Sequence, residues 1–447
     1  GRQIAQIGNA NAASEGTVGF ADFENRPLSR VGELVEVIPG AVATQHSGEG
    51  KGNQYFLRGF NLDHGTDFSA SVDGVPVNLR THGHGQGYLD LNFVIPELIE
   101  RVDYRKGPYS ARDGDFSAAG SARYSTRQRL DSNFVELAIG ENNYYRGVLA
   151  LDYDISPDTH ILFGLEGQLD DGPWVLDQDL QKINAQAQLR HEAGQWDFTV
   201  DARAYDNEWT STDQVPQRAI ASGQIDRFGF IDDDLGGDTS RYSLSGSARY
   251  IHDDFSVTQM QAYLVDYQLS LFSNFTYFLE DPVNGDEFEQ RDDRTYYGAS
   301  LTHERNIGSR LHLNGGLDLR RDDISDIGLF NTVARNRINT VRRDQVTETS
   351  VSAWGDVEYD LTDRVRATVG VRADYFHGDV EAISDPRNGG SKDDFLVSPK
   401  VALAWRATDT LELYANAGRG FHSNDVRGAT IQFDPASGAA VDAVPIL

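Results

Sequence analysis

The amino-acid sequence predicts a transmembrane antiparallel β-barrel preceded by a smaller α+β domain. Three observations carry this prediction. From about residue 131, apolar and polar residues alternate in repeated segments of about ten residues, the length that a tilted strand needs to cross a bilayer. Tyr and Trp lie near the ends of several segments, as in the interfacial girdles of membrane barrels. Short and long connections also tend to alternate, which is typical of outer-membrane barrels.

The segment 364–375 shows the alternation clearly. In a barrel, one face of such a strand meets lipid and the other meets the lumen. The residues predicted to face lipid are Val365, Val369, Val371 and Tyr375, and those predicted to face the lumen are Arg364, Arg366, Arg372 and Asp374. A charge on the lipid face near the midplane costs roughly 2–4 kcal/mol, so this alternation should be strict.

The same pattern predicts about 13 strands in the region 131–447. They are placed at 133–140, 145–153, 160–169, 181–190, 196–205, 240–250, 255–271, 294–304, 310–320, 347–360, 364–375, 396–406 and 411–418. The long polar connections are predicted at 206–239, 272–293, 321–346 and 376–395. An open sheet edge is not tolerated in lipid. Bacterial barrels also have an even number of strands, and 13 is odd, so we expect that this barrel is incomplete.

Composition excludes several other classes of protein. The chain has 447 residues and a net charge of −29, which argues against broad nucleic-acid binding. It contains no Cys, so it has no disulfide framework, thiolate metal site or Cys nucleophile. A soluble β-sandwich or propeller is the alternative fold, but its strands usually have only about five or six residues.

Residues 1–127 differ from the rest of the chain and are predicted to form the compact α+β domain. Apolar residues at helical spacing predict a helix over 28–39, which Pro39 and Gly40 end. Strands are predicted at 53–59, at 68–77 with a turn at Asp73-Gly74, and at 99–104 after one helical turn.

Five motifs of this domain are specific enough to compare with known families. They are LVEVIPGAVATQ (34–45), YFLRGF (55–60), SVDGVPVN (71–78), IPELIERVDYRKGPYS (95–110) and DGDFSAAGSARY (113–124). These motifs resemble the plug domain of TonB-dependent outer-membrane receptors, and they occur in the order and at about the spacing of that family. The alternating region is similar to the family's barrel. The resemblance implies a barrel of the 22-stranded type closed by an N-terminal plug, reduced here to about 13 strands.

The resemblance also implies a function, a partner and a location. Such receptors lie in the bacterial outer membrane and import scarce extracellular ligands, usually ferric siderophores, cobalamin, haem or other metal complexes, and sometimes sugars. Energy comes from the inner-membrane TonB-ExbB-ExbD complex, which pulls on a short segment before the plug, the TonB box. The segment 15–18 is a weak match to that box. We therefore expect the box upstream of Gly1.

Basic residues of the plug are candidates for contacts with the barrel. They lie in the LRGF and ERVDYRKGP motifs and are Arg58, Arg101, Arg105 and Lys106. Charges inside a lumen need partners, and the predicted inner face of the barrel supplies Asp and Glu. These residues are predicted either to latch the plug to the barrel or to support its packing.

Four of the 11 histidines fall in the plug, namely His46, His64, His82 and His84. The segment HGHGQGY (82–88) follows the SVDGVPVN strand, at a position that points outward into the binding vestibule in the family it resembles. The residues predicted to bind ligand are His64, Asp67, His82, His84, Gln86 and Tyr88. His82 and His84 are also predicted to bind metal, since neutral imidazole suits Zn, Cu, Fe and Ni. Alternatively, these histidines hydrogen-bond the loop or an organic ligand.

The prediction is therefore TonB-dependent import of a ferric siderophore or other metal complex, without catalysis. No resident cofactor is expected, although a transported metal or chelate would pass through. The alternatives are a plugged transporter for a carbohydrate or other organic nutrient, a passive porin, and a soluble carbohydrate-binding β-protein. Acidic clusters such as 232–234 could bind Ca²⁺, but such clusters are usually solvated loop charge. If a metal is bound directly, uptake should weaken below about pH 6.

Overall fold

The computed structural model describes residues 7–28, 30–45 and 49–447. Within these residues, eight short strands form the plug and thirteen strands, most of them longer, form one large antiparallel sheet. The last plug strand ends at Thr126 and the first strand of the large sheet begins at Phe134. The described helices are all too short or too polar to cross a membrane.

The plug strands form two small sheets. They are β1 (Glu15–Gly19), β2 (Ala41–Thr44), β3 (Gln54–Leu57), β4 (Phe60–Asn61), β5 (Phe68–Val72), β6 (Val75–Pro76), β7 (Ile99–Arg105) and β8 (Gly120–Thr126). The larger sheet has the order β1-β7-β8-β5-β6, in which only β5 and β8 are parallel, and the smaller has the order β2-β3-β4. Because the segment 15–18 lies in β1, paired with β7, it is a plug strand in this structure.

The helices of the plug are shorter than the sequence predicts. A short helix α1 (Phe20–Phe23) follows β1. The helix predicted over 28–39 is a 3₁₀-helix at Val31–Val37, and Ser29 lies outside the described residues. Three valines in seven residues lower the preference for an α-helix. The 3₁₀-helix nevertheless brings Leu34 into the plug core, where this side chain is fully buried. A second 3₁₀ turn, Pro96–Leu98, leads into β7.

The large sheet confirms the predicted strands one for one. Its members are β9 (Phe134–Ile139), β10 (Tyr145–Ser156), β11 (Thr159–Asp170), β12 (Leu180–Ala193), β13 (Trp196–Thr210), β14 (Gly236–Ile251), β15 (Val257–Ser273), β16 (Phe288–Ile307), β17 (Leu311–Val333), β18 (Asn336–Thr362), β19 (Val365–Ala382), β20 (Gly390–Thr408) and β21 (Leu411–Gly418). Each strand pairs antiparallel with its neighbours in sequence.

The predicted long connections are too long, because the strands continue into them. The clearest error is 321–346, where β17 and β18 extend until a tight turn at Ala334 and Arg335 joins them. Both turn residues have positive φ, 48° and 59°, as in the commonest two-residue hairpins. Strands that extend beyond the bilayer need no apolar face, so apolar and polar residues no longer alternate there. The hydrogen bonds between β17 and β18 nevertheless continue to the turn. Two further elements occupy the remaining connections, α2 (Gln217–Ala221) and a 3₁₀ turn at Pro386–Asn388.

The faces of β19 confirm the predicted orientation. Val369 and Val371 are 62% and 50% exposed on the outer face, whereas Arg372 and Asp374 are buried on the inner face. Arg364 is the exception, since it lies in the exposed turn before β19. The inner face of the sheet is therefore polar and packs on the plug.

The sheet does not close on itself. Its outer strands are β9 and β21, and the pairings of the described residues do not join them. The chain continues past β21 into a segment that packs on the plug, with a short helix α3 (Val426–Thr430). Short turns join the strands at one end of the sheet, and the longer connections, together with the turn at Ala334 and Arg335, lie at the other. We call the latter the outer end.

Candidate ligand-binding site at the outer end of the plug

The site is built on a loop of residues 79–88, which we call the apex loop. Leu79 and Tyr88 close it as an antiparallel bridge, with the Leu79 N–H donating to the Tyr88 carbonyl at 2.9 Å. Asn78 fixes its base, because its side-chain Nδ2 donates to the carbonyls of Gly65, Phe68 and Gly87. The apex loop is therefore held to the segment around residues 64–68.

The apex loop lies against the inner face of the sheet, at the outer part of β16 and the middle of β18. The Gly83 N–H donates to Asp292 Oδ2 at 3.0 Å, and Thr81 Oγ1 donates to Glu348 Oε1 at 2.6 Å. His84 Nδ1 lies 2.7 Å from Oε1 of Gln290, two residues into β16 from its outer end. These contacts place the loop beneath the connections of the outer end.

His64 and His84 are brought together although 20 residues separate them. Their Nε2 atoms are 3.0 Å apart and their ring centroids 4.5 Å apart. His64 Nδ1 lies 3.0 Å and 3.1 Å from the carbonyl oxygens of Gly52 and Asn53. The fourth plug histidine, His46, lies outside the described residues.

His82 has a different position and is not brought to His84 in the way predicted. Its ring stacks on Tyr88, with centroids 4.1 Å apart, and its Nε2 lies 3.2 Å from the Tyr267 hydroxyl. Its Nδ1 accepts the backbone N–H of His84 at 3.1 Å. Both ring nitrogens of His82 already have partners, and Nε2 of His84 faces His64, so metal binding by His82 and His84 stays a prediction.

Burial favours the neutral form of His82 and His84. It lowers the pKa of His82 and of His84 well below the ordinary value of 6.5, and neighbouring cationic groups add to the effect. Burial also raises the pKa of Tyr88 well above 10, and its hydroxyl accepts the Gly52 N–H at 2.7 Å. These two imidazoles are therefore neutral, as metal ligation or neutral hydrogen bonding requires.

The remaining predicted ligand residues contact the segment that follows β21. Asp67 Oδ1 accepts a hydrogen bond from His422 Nδ1 at 2.8 Å. Gln86 Oε1 accepts the Asp425 N–H at 3.1 Å, and the Arg427 guanidinium donates to the His82 carbonyl at 3.2 Å. This segment, residues 419–430, thus covers one side of the apex loop. Tyr88 is only 1% exposed, so it supports the loop rather than facing the vestibule.

Sequence reasoning missed three residues of the site. Gln290, Asp63 and His422 lie on parts of the chain that no motif connects to the apex loop. The position of Asp63 directly before His64 is the one sequence feature that links it to the site. Its Oδ1 lies 3.9 Å from His64 Nε2, and its side chain is 61% exposed.

The basic residues predicted as a latch have their described partners inside the plug. Arg101 pairs with Asp103, and the Lys106 ammonium donates to the Pro39 carbonyl. Arg105 pairs with the plug carboxylates Glu15 and Asp113. Arg58 is exposed in the turn between β3 and β4. Their role as a latch stays a prediction.

In the described arginine–carboxylate pairs between plug and barrel, the arginine belongs to the barrel and the carboxylate to the plug. The predicted latch has these charges the other way round. Arg146 of the barrel binds Glu97 of the plug, and Arg203 of the barrel binds Asp73 of the plug. Arg320 donates to the Asn78 carbonyl at 2.8 Å. In these three contacts the barrel supplies the guanidinium groups, and the plug supplies carboxylates and a backbone carbonyl.

The cluster at Asp232, Asp233 and Asp234 is the only described group of three or more His or acidic side chains whose ligand atoms all lie within 4.8 Å. It belongs to the connection between β13 and β14, where the Asp234 N–H donates to Asp232 Oδ1 at 3.1 Å. The cluster is half-buried to exposed and has the character of solvated loop charge.

Comparisons with known proteins match both parts of the chain. The family profile described as "TonB-dependent Receptor Plug Domain" matches residues 9–121, and the profile described as "TonB dependent receptor-like, beta-barrel" matches residues 187–444. The second profile alone covers more than half of the chain.

Solved structures show the same fold at low sequence identity. The ferric yersiniabactin uptake receptor FyuA from Yersinia pestis is 17% identical, with a TM-score of 0.71 over 90% of this chain. The ferric citrate transporter FecA is 14% identical, with a TM-score of 0.76 over 92%. The copper transporter OprC is 16% identical, with a TM-score of 0.68 over 91%.

This chain spans 63% of the length of each of these three proteins. The family's location follows from the shared plug and barrel, which place its members in the bacterial outer membrane. On the two profile matches, the chain belongs to the TonB-dependent receptor family.

Proposed function

We propose that this chain provides the plug and the first barrel strands of a receptor that imports a metal complex across the outer membrane. One observation carries the proposal: the fold gathers the imidazoles of His64 and His84 at the outer end of the plug, and His82 supports them from a buried position. A ligand entering from outside would reach this end first. Imidazole nitrogens and the Gln86 amide can bind either a metal or the polar groups of its chelator.

The names of the similar structures support this class of cargo. Ferric yersiniabactin, ferric citrate and copper are what those three proteins are named for. At such low sequence identity, the similarity to these proteins shows a shared fold and does not show a shared cargo. The choice of a metal complex therefore rests on the histidines of the apex loop.

Transport in this proposal needs an energy source and no chemical reaction. The TonB-ExbB-ExbD complex would pull on a segment before the plug and loosen the contacts between plug and barrel. The pairs Glu97–Arg146 and Asp73–Arg203 would have to break or rearrange for the ligand to pass. The proposal assigns no catalytic residue, and the chain is a receptor rather than an enzyme.

Two other cargo classes remain as outcomes of the test. A carbohydrate receptor would use the same fold, with Asp67 and Gln86 as hydrogen-bonding groups. A passive porin would need an open lumen, whereas the described plug packs against the inner face of the sheet through many buried polar contacts.

The experiment is uptake by cells that express the full-length protein. Cells are supplied with ferric-chelate, copper-chelate, nickel-chelate or labelled oligosaccharide, in otherwise identical strains with and without TonB. The proposal expects accumulation of a metal that disappears without TonB. Oligosaccharide uptake alone, or metal uptake that is unchanged without TonB, would contradict it.

A further inference from the structure

The distance between the Nε2 atoms of His64 and His84 is that of two adjacent ligands on one metal ion. Two nitrogens about 2.1 Å from one ion and at right angles to each other are about 3.0 Å apart, whereas a tetrahedral angle separates them by about 3.4 Å. The two atoms are 3.0 Å apart in this structure. This distance therefore matches neighbouring positions of square-planar or octahedral coordination.

The partners of the other ring nitrogens determine where the protons lie. His64 Nδ1 faces the carbonyl oxygens of Gly52 and Asn53, and His84 Nδ1 faces Oε1 of Gln290. A carbonyl oxygen only accepts, so in these hydrogen bonds each Nδ1 carries the proton. In this tautomer the Nε2 of a neutral imidazole can bind a metal ion. Such an ion would replace the direct contact between the two Nε2 atoms, which lie within hydrogen-bond distance of each other.

This arrangement is also the one that supports metal-binding histidines in general. A ligating imidazole usually donates its second N–H to a carbonyl or carboxylate, which fixes the ring and its tautomer. His64 and His84 both have such a partner. His82 adds a further support, because its Nδ1 holds the backbone N–H of His84.

The exposed Asp63 carboxylate lies near His64 but outside coordination distance of the pair. Its Oδ1 lies 3.9 Å from His64 Nε2, and its Oδ2 lies 3.6 Å from the position of a Cβ on Gly85. Rotation of this exposed side chain would bring a carboxylate to a metal held by the two imidazoles. The donor set would then be two nitrogens and one oxygen.

We propose that His64 and His84, with Asp63, bind a divalent transition-metal ion such as Cu²⁺ or Ni²⁺ directly as it enters the receptor. Nitrogen and oxygen donors at right angles favour these ions. Soft ions such as Cu⁺ prefer sulfur, but the chain has no Cys and its single Met, Met260, is 45% exposed on β15, away from the plug. The inference rests on the proposed import function and narrows its cargo.

The site also restricts the form in which the metal arrives. Direct ligation needs two adjacent coordination positions that the chelator leaves open or gives up. An Fe³⁺ ion fully enclosed by a siderophore offers none. The cargo is therefore a labile complex with weakly held water or small ligands rather than a closed ferric siderophore.

The test uses the purified full-length protein in detergent, titrated with CuCl₂ or NiCl₂. Calorimetry gives the affinity, and nitrogen hyperfine couplings in the electron spin resonance of bound Cu²⁺ count the imidazoles. The wild type should bind one ion through two imidazoles. His64→Ala and His84→Ala should each weaken binding by about tenfold or more and remove one imidazole from the spectrum.

Two further variants keep the test falsifiable. His303→Ala removes an imidazole from the pair His252 and His303, whose rings are 5.7 Å apart at the inner end of the sheet, and should leave binding unchanged. Gln290→Ala should weaken binding by about tenfold while both imidazoles remain in the spectrum, and Gln290→Glu should restore it. Circular dichroism checks that every variant is folded.

The outcomes separate this site from the proposed function. Wild-type affinity in both His64→Ala and His84→Ala would overturn the metal site, even if uptake of a metal chelate depends on TonB. Loss of binding in both variants supports the site, whatever the uptake experiment shows. Uptake independent of TonB would overturn the import function alone.

Discussion

Glu97 of the plug and Arg146 of barrel strand β10 form a two-point ion pair. Arg146 Nη1 lies 2.6 Å from Glu97 Oε1, and Nη2 lies 2.9 Å from Oε2. The same guanidinium donates through Nε to Glu166 of β11 at 2.6 Å. One barrel arginine thus binds both the plug and a neighbouring strand. Its contact with Glu97 is largely shielded from water.

Glu97→Gln should destabilise the docked plug. The neutral amide loses the charge-assisted contact while Arg146 stays buried, which costs about 1.5–3 kcal/mol. Unfolding of the full-length protein in urea and detergent should show this loss in the free energy of unfolding. Glu100→Gln is the matched control, because Glu100 is 52% exposed and lies 3.9 Å from Arg127. An equal effect of both substitutions would show that the Glu97–Arg146 pair does not hold the plug in place.

Gly83→Ala should displace the apex loop, whereas Gly85→Ala should not. A Cβ on Gly83 would lie 2.7 Å from the backbone oxygen of Arg291, which the β16 ladder holds in place. On Gly85 the nearest atom would be Asp63 Oδ2 at 3.6 Å, an ordinary contact. Ligand uptake by the full-length protein should therefore fall in the first variant only. Uptake that is equal in the two variants would show that the loop does not depend on its contact with β16.

The contact between His422 and Asp67 should strengthen as the pH falls. The hydrogen bond to Asp67 and the charges of Asp67 and Asp115 raise the pKa of His422 above 6.5, although burial opposes them. Its stabilising effect is therefore complete below the unfolded-state pKa of about 6.5 and is lost as the pH rises through the folded-state pKa. Because both side chains are about a third exposed, solvent screens the gain.

A nuclear magnetic resonance titration of labelled histidine checks this prediction. Asp67→Asn should return the pKa of His422 toward its ordinary value. Asp63→Asn should leave it where it is in the wild type. A His422 pKa that does not respond to Asp67→Asn would show that the segment 419–430 is held in another way.

Val369→Arg should disrupt membrane insertion. Val369 is 62% exposed on the outer face of β19, about midway along the part predicted to cross the bilayer. A charge there costs roughly 2–4 kcal/mol near the bilayer midplane, and Val369→Leu should cost almost nothing. Refolding of the full-length protein into lipid vesicles measures the difference. If arginine and leucine are tolerated equally, this face does not meet lipid.

The barrel could be predicted from sequence where lipid imposes an alternation. Val369, Val371, Arg372 and Asp374 fall on the expected faces because a misplaced charge in hydrocarbon is costly. The outer extensions of β17 and β18 could not be predicted, since water surrounds them and both faces can be polar. Only the turn at Ala334 and Arg335 shows where these strands end.

The site could be predicted only in part. The apex loop was found from its histidines and glycines, which form one short segment. The pairing of His64 with His84 depends on Asn78, whose side chain joins three separate segments, and no local pattern encodes such a contact. The polarity of the ion pairs between plug and barrel was missed for the same reason, because Glu97 and Arg146 meet only in the folded chain.

Uptake by cells expressing the full-length protein tests the role of the apex loop most directly. The variant combines His84→Ala with Gln86→Ala in this loop. The matched control combines His191→Ala with Gln195→Ala at a short turn on the opposite end of the sheet. We expect TonB-dependent metal uptake to fall about tenfold or more in the first variant and to stay at the wild-type level in the second, with equal amounts of folded receptor in the outer membrane. Wild-type uptake in the apex-loop variant would contradict the account.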